Sequence, residues 1–163
     1  MKRLGIAVTI LALGVAGCGS DSSDSPTSPS NTTVFTVPLS AANEVPPVTN
    51  AESTARGTAV VTIHSQANTI DFSVSLNSFP TTSALTAAHI HPGAAGVNGG
   101  VLIGTGLTSA NAPSLASGSG TFTFTGVPAT ADQIAQILAN PQNFYFNVHT
   151  SANGSGVMRG QLR

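Results

Sequence analysis

The stretch Thr69-Ile70-Asp71-Phe72-Ser73-Val74-Ser75-Leu76 alternates apolar and polar residues without a break. A pleated strand throws successive side chains to opposite faces, so Ile70, Phe72, Val74 and Leu76 line one face while Thr69, Asp71, Ser73 and Ser75 line the other. No helical period fits this pattern. The same period extends in both directions along the chain. Phe35, Val37 and Leu39 alternate with polar or small neighbours, as do Ala59, Val61 and Ile63. Downstream, Phe122 and Phe124 alternate with Thr121, Thr123 and Thr125, and Phe144, Phe146 and Val148 with Tyr145, Asn147 and His149. Each segment reads as a half-buried strand with one wet face. Shorter strands are predicted at Ala87–His91, Val101–Thr105 and Val157–Leu162.

Turn chemistry separates these runs, at Ser65-Gln66-Ala67-Asn68, Pro92-Gly93, Asn98-Gly99-Gly100, Ser117-Gly118 and Ser151 to Gly156. One helix is predicted over Ala131–Ala139. Thr130 and Gln133 form a capping box, Ile134, Ile137 and Leu138 form an apolar stripe, and Asn140-Pro141 ends it. Seven or eight short strands with frequent turns and one short helix imply an all-β fold, an antiparallel sandwich or barrel.

Composition narrows the function classes. The 163 residues suit one domain, charged residues are only 7% and the formal net charge is −1. That balance excludes the basic footprint of a nucleic-acid binder. A single cysteine rules out an intramolecular disulfide and a multi-thiolate metal site. Gly-x-Ser-x-Gly, phosphate-loop, Rossmann and zinc-protease signatures are absent from the sequence.

The N-terminus reads as an export and anchoring signal. Lys2 and Arg3 precede an apolar run from Leu4 to Val15, too short to span a bilayer as an ordinary helix but of signal-peptide length. It ends in Val15-Ala16-Gly17-Cys18, which resembles the lipobox of bacterial lipoproteins. The resemblance implies cleavage before Cys18, diacylglycerol on its sulfur and acylation, for example by palmitate, of the new amino terminus. Several acyl chains anchor stably to a membrane where one would be marginal. Residues 1–17 are thus read as the signal peptide and 18–32, rich in Ser, Pro, Asp and Thr, as a disordered tether. The folded domain is placed at 33–163, in the cell envelope and outside the cytoplasm. The lack of an acidic residue directly after Cys18 resembles the enterobacterial outer-membrane sorting pattern.

The chemistry-bearing residues are few. His89 and His91 flank Ile90 on a predicted strand, so both imidazoles leave one face with Cβ atoms roughly 6–7 Å apart, while Ala88 and Ile90 face the core. His149 takes the outward phase of another strand. Three imidazoles on wet strand faces could converge on one copper or zinc ion, or could simply hold backbone groups. Arg159 either approaches a bound anion or ligand, or pairs with Glu44, since a partly buried charge needs a partner. Glu44, in Asn43-Glu44-Val45-Pro46-Pro47, is either a metal or catalytic carboxylate or a backbone acceptor where the proline pair fixes a strand exit. His64 reads as a surface residue.

Three segments in order resemble the CHRD domain, a family named for chordin and widespread in bacterial envelope proteins. They are Leu39-Ser40-Ala41-Ala42-Asn43-Glu44-Val45-Pro46-Pro47, then Ala88-His89-Ile90-His91-Pro92-Gly93 with Asn98-Gly99. The third is Tyr145-Phe146-Asn147-Val148-His149-Thr150 followed by Gly156-Val157-Met158-Arg159-Gly160-Gln161-Leu162. That family is in turn similar to Cu,Zn superoxide dismutase, an immunoglobulin-like Greek-key barrel, which implies an immunoglobulin-like, Greek-key antiparallel β-sandwich here. The likeness implies copper-binding roles for His89, His91 and His149 and an anion-approach role for Arg159. The bridging histidine, the zinc loop and the disulfide of that enzyme have no counterpart here. Three readings follow. The leading one is a non-catalytic, lipid-anchored envelope module holding one copper or zinc ion. A second is a metal-free interaction or adhesion domain with an envelope or extracellular protein partner. The third is a dismutase-like redox enzyme.

Overall fold

The computed structural model describes residues 31–163, so the signal-peptide reading, most of the tether and Cys18 lie outside the described residues. Eight strands and one α-helix follow one another as β1 (Thr32–Ser40), β2 (Arg56–His64), β3 (Thr69–Asn77), β4 (Leu85–Pro92), β5 (Ile103–Gly104), β6 (Gly120–Pro128), α1 (Ala131–Ala139), β7 (Phe144–Thr150) and β8 (Met158–Gln161). Every pairing is antiparallel, in the order β5-β4-β7-β8-β1-β2-β3-β6. The fold is all-β with one short helix, as the alternation predicts.

The first three strands form a meander. The chain then crosses to build β4 and β5, and returns to lay β6 against β3, the Greek-key connection. The sheet curls into two facing halves, β6-β3-β2-β1 and β8-β7-β4-β5. A single bridge, Ser40 with Arg159, joins β1 to β8. The inward residues of both halves make one core, in which Phe72 of β3 meets Phe146 of β7 at 5.7 Å between ring centroids. Burying each such side chain contributes roughly 1.5–3 kcal/mol. Ile70, Phe72, Val74 and Leu76 are all buried in the observed strand, and Ser73 and Ser75 are exposed.

The helix carries the full capping box between Thr130 and Gln133 and buries Ile134 and Ile137. Gln133 also donates to the Leu102 carbonyl at 3.0 Å, tying the helix to the approach of β5. Three details differ from the sequence reading. Thr32, placed above in the tether, already pairs with His64. The strand expected over Val101–Thr105 shrinks to Ile103–Gly104, although Leu102 and Thr105 still donate their amides to the Ile90 and Ala88 carbonyls of β4. Phe124 is only half-buried, since a register irregularity between β3 and β6 at Ile70/Phe72 turns that strand at its end.

Candidate functional site

The site stands on the outer face of β4, β7 and β8. Register puts His89 opposite Asn147 and His91 opposite Tyr145, with Ala87 opposite His149. On the other side of β7, Asn147 faces Arg159 and Tyr145 faces Gln161. Since Ala88, Ile90, Phe146 and Val148 fill the inward positions, the polar residues are forced into one outward patch.

That patch is not wet, which corrects the expectation of three imidazoles on solvent-facing strands. Every residue of β7 is buried, His91 and His149 are 6% and 8% exposed, and only His89 is half-buried. The cause is a roof of loops, residues 43–47, 93–100 and 151–156, hydrogen-bonded to the outward side chains. His91 Nδ1 lies 3.0 Å from the Gly99 carbonyl and His149 Nδ1 lies 3.0 Å from the Gly154 carbonyl. A carbonyl only accepts, so both Nδ1 atoms carry the hydrogen and both Nε2 atoms present lone pairs. His89 Nδ1 lies 3.1 Å from His149 Nε2, and in the metal-free chain it donates to that lone pair. His91 Nε2 is buried with no hydrogen-bond partner. One nitrogen from each of the three residues lies within 4.8 Å of the others.

Electrostatics keep these imidazoles neutral. Burial first, then the neighbouring His149 and His91, pushes His89 down to about 4. Burial likewise lowers His91 and His149, against the opposing pull of their backbone carbonyl partners. Neutral imidazoles are the form a metal ion requires.

Beside the histidines runs a second polar cluster. Arg159, 2% exposed, sits with Nε 3.2 Å from Glu44 Oε2 and donates through Nη1 and Nη2 to the Val97 carbonyl (3.1 Å) and Asn98 Oδ1 (2.6 Å). Its guanidinium also lies 4.5 Å from the centre of the Tyr145 ring. Of the two readings of Arg159, pairing with Glu44 is the observed one. The guanidinium is buried, with Nη1 and Nη2 both bonded to the 93–100 loop. Glu44 meanwhile accepts from Asn147 Nδ2 at 3.0 Å. Burial outweighs Arg159 and holds its carboxyl up to about 7. The Val45 backbone also hydrogen-bonds this carboxyl, alongside the Arg159 and Asn147 side chains.

Two glycines make the roof possible. A Cβ on Gly99 would lie 1.7 Å from the Pro92 carbonyl oxygen. Gly156 has φ +138, and a Cβ there would press on Asn147 Nδ2 and both Glu44 oxygens. His64 lies far from all this in the sheet order. It is half-exposed on β2 and pairs with Asp71 at 3.0 Å, consistent with its reading as a surface residue.

Sequence reading passed over Tyr145, Asn147 and Glu52. Tyr145 stacks on His91 with centroids 4.9 Å apart and planes 5° from parallel. Glu52 is buried and accepts from Thr150 Oγ1 (2.6 Å) and from Asn153, bracing the loop that holds His149. A strand whose outward positions are Tyr, Asn and His was the available signal for a covered face.

The fold and site together define an all-β domain with a loop-roofed histidine cluster on its outer surface. The family model of the CHRD domain matches residues 35–162, and the chain belongs to that family. No curated protein and no solved structure matches it.

Proposed function

We propose that this CHRD domain is a non-catalytic envelope module that holds a single copper or zinc ion on His89, His91 and His149. The observation that carries this reading is the buried, unpartnered Nε2 of His91, close to two further imidazole nitrogens, with Nδ1 of both His91 and His149 already committed to a backbone carbonyl. Outer hydrogen bonds of this kind are what orient imidazole ligands in metal sites. An all-imidazole set suits copper and zinc, and three ligands leave a position open.

The metal-free interaction reading has one observation in its favour. Both His91 and His149 tie down a loop, and His89 bonds to His149, so the histidines also order the roof. That reading leaves the His91 acceptor buried and unsatisfied, at a cost of about 1–3 kcal/mol, which a bound ion would remove. The enzyme reading has no assigned catalytic residue, and Arg159, its expected anion guide, is buried and paired with Glu44.

Metal analysis and copper titration of the purified chain test the proposal. One ion per chain is expected, with His89→Ala and His149→Ala each abolishing it. Negligible binding in all three proteins would overturn it. Membrane attachment through lipidated Cys18 belongs to the same proposal. Radiolabelled palmitate should enter the chain in bacterial cells and be lost in Cys18→Ser together with membrane association. A Cys18→Ser chain that stays labelled and membrane-bound would overturn the anchor.

A further inference from the structure

Tyr145 touches the histidine cluster twice. Its ring lies flat on His91, 4.9 Å away and 5° from parallel, and its hydroxyl accepts the Gly99 N–H at 3.2 Å. The carbonyl of that same Gly99 accepts the His91 Nδ1 hydrogen. One side chain thus holds both the plane of the imidazole and the backbone unit that fixes its tautomer. The ring also carries the Arg159 guanidinium at 4.5 Å, and Arg159 in turn grips Val97 and Asn98 of the same loop. His91, Tyr145 and Arg159 therefore form one clamp, imidazole on ring and cation on ring, with Arg159 held by Glu44.

We infer that Tyr145 is a positioning residue of the metal site: it holds His91 so that Nε2 faces His89 and His149. This deepens the proposed function and rests on it. Among the described residues no other ring contact to His91 is as flat: His89 meets it edge-on at 84° and His149 at 46°. Without the tyrosine ring, the imidazole could rotate about its side-chain bonds, and the Gly99 amide would lose its acceptor. The hold on the loop and the hold on the ligand would weaken together.

The chain supplies its own reporter, since it has one tyrosine and no tryptophan. In the wild-type chain, copper(II) should quench tyrosine fluorescence and saturate at one ion. Titration of Tyr145→Leu, followed by copper competition with a chelator, should show roughly 10–100-fold weaker binding, the size typical of losing an outer contact to a ligand. Tyr145→Phe keeps the stack and loses only the hydroxyl, so its affinity should fall between the two. The copper electron-paramagnetic spectrum should change in the same order. Phe146→Leu, on the core side of the same strand, should lower Tm while leaving affinity and spectrum unchanged. Wild-type binding with unaltered affinity and spectrum in both tyrosine variants would overturn the clamp and spare the metal site. Should Tyr145→Leu fail to fold, an unaltered Tyr145→Phe would overturn it alone. No copper binding by the wild type would overturn both.

Discussion

The outer faces of β3 and β7 obey the same alternation and meet opposite fates. On β3 the outward residues are Asp71, Ser73 and Ser75, with both serines open to water. On β7 the outward residues are Tyr145, Asn147 and His149, and all are buried. The inward residues, Phe72 and Phe146, even touch each other. What differs is what lies above. Among the described residues nothing covers Ser73 and Ser75, so small hydroxyl side chains suffice there. Over β4, β7 and β8 three loops close down, so every polar atom must find a partner inside the protein or be left without one. Among the described residues His91 Nε2 is left without one, and the proposed metal site is built on that atom.

The comparison can be broken first at Arg159. Arg159→Ala leaves Glu44 buried without its partner and should destabilise the domain by about 3–5 kcal/mol in denaturant unfolding. Ser73→Ala, one residue on the open face, should stay within about 0.5 kcal/mol. Equal effects of the two would show that the roof carries no special weight. Gly156→Ala should come next, at about 1–3 kcal/mol, because its backbone conformation and the closeness of Asn147 and Glu44 both resist a methyl group.

A smaller effect concerns pH, measured on metal-free protein. The three roofed imidazoles are held below the ordinary histidine value, His89 at about 4. The unfolded chain therefore binds their protons first, and the stability they contribute is present above about 6.5 and lost as pH falls toward 4. Glu44 has the opposite sign. Raised from 4.5 to about 7, it takes up a proton on folding, so its contribution declines as pH rises through that window. In Glu44→Gln the opposing carboxyl is gone, and Tm should fall more steeply on acidification than in the wild type. Parallel Tm curves would contradict these assignments. The smallest effect belongs to the open face. His64→Ala removes a half-exposed pair with Asp71 and should cost less than about 1 kcal/mol, fading further in salt.

Much of the fold was legible because alternation is a local property. Ile70 to Leu76, the capped helix at Ala131 and the shared phase of His89 and His91 all need only near neighbours in sequence. The convergence of His149 with that pair depended on β4 lying beside β7, a pairing of residues some sixty positions apart (Ala88 with Val148), which the sequence suggested only as a condition. The roof was not legible. Its parts come from residues 43–47, 93–100 and 151–156, and their closure depends on single contacts such as Asn98 Nδ2 to the Val45 carbonyl at 2.8 Å. Periodicity assigns a residue to a face, and it does not say whether a loop will fold over that face. For the same reason Arg159 and Glu44 read as a candidate pair, while Tyr145 read merely as the polar neighbour of two phenylalanines.

A crystal structure of the copper-loaded chain tests the central claim most directly. The account predicts one ion bonded to His89, His91 and His149 at about 2.0–2.1 Å, with the last two binding through Nε2 and keeping Gly99 and Gly154 on Nδ1. Copper found instead at His64 and Asp71, or on none of the three roofed histidines, would contradict it.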